Sequence, residues 1–144
     1  MTVPEVADAL ERIIFAGVAL TTVAISHARP GFELTFPQWR LIVVLGARPA
    51  GARIGEVARL VGVTLPATSR QLRRLERRGL VSVTPDDRDR RAALARLTDE
   101  GLSTHDAIIE YRRARLVEIA APFEANGSLR RDLRELAEAV VARR

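Results

Sequence analysis

A chain of 144 residues with 47% apolar and 28% charged residues has the balance of one folded domain around one core, not of a disordered segment. The absence of cysteine excludes disulfides, thiol redox switching and Cys-ligated metals. No apolar run approaches the ~18–20 residues of a membrane span. Glu5, Asp8 and Glu11 stand where a signal peptide is basic, so the expectation is a cytoplasmic protein without a membrane segment.

Residues 3–27 space their apolar side chains as a helix too apolar to have one wet face, so burial on more than one side is expected. Arg29-Pro30-Gly31 ends it. Thr35-Phe36-Pro37-Gln38 reads as a capping box opening a second helix that runs through Trp39, Leu41, Ile42, Val44 and Leu45 to Gly46. Residues 48–51 are a loop. Ile54, Val57, Ala58 and Val61 form one stripe of a short helix, and Gly62 turns the chain. Thr64 is the expected N-cap of the next helix, with Pro66 in its first turn and Leu72 and Leu75 facing the core. Gly79 stops that helix, and Leu80 can close back on it. Two apolar runs, residues 80–84 and 92–97, flank a charged tip at 85–91. Thr98 caps a long helix with Asp99 and Glu100 in its first turn, ending before Pro122. Asn126-Gly127-Ser128 is a turn with Ser128 as cap, and Leu129, Leu133, Leu136, Ala137, Val140 and Val141 stripe a last helix.

Helix, turn, helix and charged hairpin is the order of a winged helix-turn-helix, so the expected fold is mainly α with a small β-hairpin wing. The expected division is an N-terminal helix at 1–34, a DNA-binding lobe at 35–98 and C-terminal helices at 99–144. The formal charge of +5 is concentrated in that lobe: residues 53–96 hold eleven arginines against five acids, and the remainder carries −1. A local surplus of six points to a polyanionic partner.

Two motifs carry the chemistry. A helix entering the major groove needs small residues near its start, so that its backbone approaches the base edges, and cationic or polar groups that reach them. Thr64, Pro66, Ala67, Thr68 and Ser69 are small, and Arg70, Arg73 and Arg74 follow. The bland alternative is a solvated arginine face. Five arginines within residues 70–78, with only Glu76 to pair, weigh against it. At the tip, Arg88, Asp89, Arg90 and Arg91 can place a guanidinium in a narrow minor groove, with a carboxylate holding its rotamer. The alternative there is a charged turn that keeps an edge hairpin from aggregating.

The residues Thr35-Phe36-Pro37-Gln38-Trp39-Arg40, Glu56-Val57-Ala58, Val61-Gly62-Val63-Thr64, Ser69-Arg70, Leu75-Glu76, Arg78-Gly79-Leu80-Val81, Asp89-Arg90-Arg91-Ala92 and Leu97-Thr98-Asp99-Glu100-Gly101 occur in order. In these the chain resembles the MarR family of winged helix-turn-helix transcription regulators, over nearly its whole length. The resemblance implies base reading by Pro66, Ala67, Ser69 and Arg70 and a phosphate contact by Arg74. It implies minor-groove entry by Arg91, with Asp89 orienting it. Arg73 departs from the family, which often has an acid there, and Gly55 stands where a Ser or Thr cap is frequent. The resemblance also implies a homodimer built from the terminal helices, and a small aromatic effector near His27, Phe36, Trp39 and Tyr111. Phe36 and Trp39 read first as core residues.

His27 and His105 have no third ligand patterned near them, so neither a metal nor a cofactor is expected. No phosphate loop, nucleophile elbow or metalloprotease helix is present, and an enzyme is not expected. The expectation is a sequence-specific regulator of double-stranded DNA, a ligand-responsive repressor. The rivals are a constitutive winged-helix DNA binder and a protein-interaction winged helix facing an acidic partner.

Overall fold

The computed structural model describes residues 2–28, 33–123 and 127–142. It contains α1 (Val3–Ala28), α2 (Phe36–Gly46), β1 (Ala52–Arg53), α3 (Ile54–Val61), α4 (Leu65–Arg77), β2 (Val81–Asp86), β3 (Asp89–Leu97), α5 (Asp99–Ala120), a 3₁₀ turn at Ala121–Phe123 and α6 (Gly127–Ala142). The chain divides into two compact units, residues 1–112 and 113–144. The expected Arg29-Pro30-Gly31 stop and Asn126 lie outside the described residues. α6 begins at Gly127, which puts Ser128 inside its first turn and not at the cap.

The first unit is a winged helix-turn-helix. Trp39, Leu41, Ile42 and Leu45 of α2, Val57 and Val61 of α3, Leu72 and Leu75 of α4, and Leu80, Val81 and Ala95 of the sheet form its core, joined by Ala24, Ile25 and Ile108. α2 opens as expected: the Thr35 hydroxyl accepts from the Gln38 amide and the Gln38 side chain accepts from the Thr35 amide. α3 and α4 end on Gly62 and Gly79 in the left-handed region (φ 68° and 72°). After α4 the Gly79 amide donates to Glu76 O (2.9 Å) and the Leu80 amide to Leu75 O (3.0 Å), the paired bonds of a Schellman motif. Leu75 and Leu80 both bury completely beside them.

Several expectations are corrected. The sheet has three antiparallel strands in the order β1-β3-β2, not two, because β1 pairs Ala52 with Ala95 and Arg53 with Leu94. Two residues are too few for any periodicity to mark a strand. The charged tip is narrower than 85–91: the turn is Asp87-Arg88 alone, and Pro85 lies in β2, an edge strand where a missing amide is tolerated. The N-cap of α3 is Arg53, so Gly55 lies inside the helix and not at its cap. Thr64 is the N-cap of α4 as expected, but its hydroxyl makes no capping bond.

α1 also departs. Within one copy only Thr21, Ala24 and Ile25 are buried, and Ile13, Ile14 and Phe15 are 59%, 59% and 79% exposed. By length and composition α1 is apolar enough to cross a membrane, contrary to the sequence reading. Its acids Glu5, Asp8 and Glu11 cluster in the first turns, and residues 13–26 carry no charge. Its buried face packs on protein: the Thr21 hydroxyl accepts from Arg112 Nη1 of α5 (3.3 Å). In the second unit α6 has no buried residue, and Leu133, Val140 and Val141 are 49%, 48% and 61% exposed.

Candidate nucleic-acid interface

α4 turns Thr68, Leu72 and Leu75 into the core. Helical geometry then carries the opposite residues outward. Thr64, Pro66, Arg70, Arg73 and Arg74 are exposed, and Ala67 and Ser69 are half-buried. The sequence grouped Thr68 with the small groove-facing residues, but the structure buries it. Its hydroxyl is buried without a hydrogen-bond partner among the described residues. Arg70, Arg73, Arg74 and Arg77 form no ion pair among the described residues. Glu76, the one acid on this helix, is engaged elsewhere: it accepts from the Val83 amide of β2 (3.0 Å). Four guanidiniums without a local counter-ion suit a partner that brings negative charge.

Bonds from α2 to α3 and to α4 set the position of the helix. Arg40 of α2 donates to Val61 O at the end of α3 (2.6 Å), and Gln38 Nε2 donates to Gln71 Oε1 (3.4 Å). At the other end the Thr98 hydroxyl donates to Gly79 O (2.5 Å) and accepts from the Gly101 amide (3.0 Å). The Thr98 amide donates to Leu80 O (3.1 Å). One threonine thereby ties the end of α4 to the start of α5, and the hairpin leaves and returns between them. A Cβ on Gly101 would collide with the Leu80 carbonyl oxygen, so the helix start can approach only as glycine.

The hairpin presents its arginines through a break in the ladder. Pro85 pairs with Ala93, but Asp86 pairs with Asp89, which leaves Arg90, Arg91 and Ala92 without β2 residues opposite. Such a bulge re-aims side chains and raises the local twist. Arg88, Asp89, Arg90 and Arg91 are all exposed. Asp89 Oδ1 accepts from the backbone amide of Arg91 (3.1 Å), so the carboxylate holds the backbone that carries the arginine rather than its guanidinium. Sequence reasoning missed a second restraint. Asp86, nearly buried, accepts from the Arg88 amide (3.0 Å) and from Arg53 Nε of β1 (2.7 Å). These two donors hold its carboxyl below the ordinary aspartate range. An open cleft beside this pair is lined by Arg53, Arg88, Arg90 and Arg96, among others. No local signal links residues 33 apart in sequence.

The four residues considered for an aromatic ligand do not share one environment. His27 stacks on Tyr111 (centroids 4.9 Å, 24°), and its Nδ1 lies 3.1 Å from Val23 O. Trp39 is buried and stacks on His105 (5.7 Å, 27°), whose Nδ1 lies 2.8 Å from Asp106 Oδ1. Phe36 is 38% exposed. Among the described residues no three His, Asp or Glu side chains gather as a metal site.

A family model described as MarR family matches residues 32–92. The transcriptional activatory protein BadR of Rhodopseudomonas palustris is 33% identical over 97 residues, 65% of this chain and 55% of that protein, so the match spans little more than half of the relative's length. The PcaV transcriptional regulator from Streptomyces coelicolor is 30% identical, with 98% of this chain and 99% of that one covered and a TM-score of 0.65. The transcriptional repressor CouR, solved bound to a 23-mer DNA duplex, is 25% identical, with 99% and 98% covered and a TM-score of 0.68. With a family match that covers most of the winged lobe, an arginine helix that forms no ion pair among the described residues, and full-length likeness to solved regulators, this chain belongs to the MarR family of DNA-binding transcription regulators, which are not enzymes.

Proposed function

We propose that the protein is a cytoplasmic, ligand-responsive repressor that binds a pseudo-palindromic operator as a homodimer. The observation that carries the DNA reading is the set of exposed arginines on α4 with no ion pair among the described residues, beside a bulged strand that carries Arg90 and Arg91. Thr64, Pro66, Ala67, Ser69 and Arg70 meet base edges in the major groove. Arg73 and Arg74 meet phosphates, and Arg88, Asp89, Arg90 and Arg91 serve the minor groove. Residues 35–98 form the DNA-binding lobe, and residues 1–34 and 99–144 supply the dimer contacts. The exposed apolar residues of α1 and α6 support this last assignment, since a second copy covers surface that water disfavours.

Repression is favoured because the DNA-bound repressor CouR matches over almost its full length, whereas the activator BadR matches over 55% of its own. The effector is a small aromatic molecule bound near His27, Phe36, Trp39 and Tyr111, and the His27–Tyr111 stack supports this reading. The rival is a constitutive DNA binder.

Selecting bound sites from random duplexes, then measuring affinity for the selected site and an unrelated duplex at several salt concentrations, tests the DNA reading. A two-fold site and a steep fall of log affinity with log salt are expected; weak binding with no sequence preference would overturn it. For the effector, a thermal-shift screen of aromatic acids and planar cations should find a ligand that also lowers operator affinity. A ligand bound equally by free and DNA-bound protein shifts nothing, and that outcome leaves the constitutive rival standing.

A further inference from the structure

Between Val43 and Leu102 the protein leaves just three large aliphatic side chains open to water: Leu60, Val63 and Leu65, at 42%, 42% and 52% exposure. Every other large aliphatic residue of that stretch is buried or half-buried. The three are not scattered. They bracket the turn between α3 and α4, where the Val63 amide donates to Ala58 O (3.1 Å) and so fixes Val63 on the bend. Leu65 is the first residue of α4, one helical turn before Ser69 on the same face, and Pro66 and Arg70 follow it. Apolar surface thus sits at the leading end of the helix whose arginines form no ion pair among the described residues.

A helix in the major groove meets base edges with its N-terminal residues. An aliphatic side chain there can form no hydrogen bond. Among the unmodified bases only thymine offers apolar surface in that groove, its C5-methyl. We propose that Leu65, with Val63 beside it, reads thymine by covering this methyl group in each half-site. The occupant follows from position: the patch lies at the N-terminal end of the helix whose exposed arginines suit a polyanion, and duplex DNA alone offers phosphates and a groove-exposed methyl together. This inference rests on α4 being the reading helix.

The test compares sites selected from random duplexes by the wild-type protein and by Leu65→Ser, followed by replacement of each thymine of the wild-type site by deoxyuridine. Wild type is expected to favour thymine at one position in each half-site and to lose about fourfold in affinity per half-site when that methyl is removed. Leu65→Ser should lose both the preference and the uracil sensitivity at that position, and Leu65→Met should keep them. An unchanged thymine preference in Leu65→Ser, or no uracil-sensitive position in the wild type, overturns the proposal. Arg70→Ala separates the two levels. If Arg70→Ala weakens operator binding while uracil has no effect, only the thymine inference fails; if Arg70→Ala also changes nothing, α4 is not the reading helix.

Discussion

The guanidiniums of Arg70 on α4 and Arg91 on β3 are both exposed, yet they would meet different parts of a duplex. Arg91→Ala is expected to weaken binding to operator and unrelated DNA alike. It should flatten the dependence of log affinity on log salt by about one unit per lost contact in each half of the proposed dimer. Arg70→Ala should cost ~1–3 kcal/mol per half-site, mostly on operator, if its base contact is bidentate. Asp89→Ala sets two effects against each other. Added positive charge predicts tighter binding, whereas loss of the bond to the Arg91 amide frees the bulged backbone and predicts weaker binding. Titration at two salt concentrations decides, and tighter binding at both would remove Asp89 as a positioning residue. Asp86 carries a pH signature. Its folded pKa is depressed by the Arg88 amide and Arg53, so its stabilisation is present above the unfolded value of about 3.9 and fades as pH falls through the lower folded value. The gap in urea midpoint between wild type and Asp86→Asn should therefore be constant from pH 7 to 5 and shrink below about 4; a gap that persists at pH 2 to 3 would refute the assignment.

The joint between α4, the hairpin and α5 depends on one close approach. Gly101 meets the Leu80 carbonyl oxygen where a Cβ has no room, and Thr98 bonds both sides of the contact. Gly101→Ala should force the start of α5 away from β2 and destabilise the fold by ~1–3 kcal/mol or more. Thermal unfolding should show a drop of several degrees, since ~1 kcal/mol moves the midpoint of a domain this size by about 2–4 °C. An unchanged midpoint would mean that α5 shifts without cost. The same joint explains how the hairpin keeps its register: β3 is held by β2 on one side and β1 on the other, and the Arg53–Asp86 pair ties the narrow turn back to the start of α3.

At the level of the molecule, the apolar residues of α1 and α6 that one copy leaves open are the features that most need a partner. If they make the dimer, ending the chain before Ser128 should abolish the dimer without unfolding the winged lobe, whose core and the half-buried residues packed on it reach no further than Tyr111 among the described residues. Sedimentation velocity with circular dichroism would test this, and a stable dimer of the shortened chain would sink the role of α6. Losing the dimer should also reduce operator affinity steeply, because each copy alone engages one half-site.

What the sequence by itself determined is chemistry acting across a few residues. The Thr35–Gln38 capping box, the Gly79 stop with Leu80 behind it, Leu72 and Leu75 as core, and the arginine surplus on α4 and the hairpin were all legible, because caps, periodicity and charge runs are local. Only the tertiary structure decided the rest. It turned Thr68 inward, drew Glu76 away from the arginines to the Val83 amide, and added β1 to the sheet. It brought Arg53 to Asp86, and it left most of α1 open in a single copy. Each of these depends on where a distant segment returns, and no spacing within a window of one element records that return.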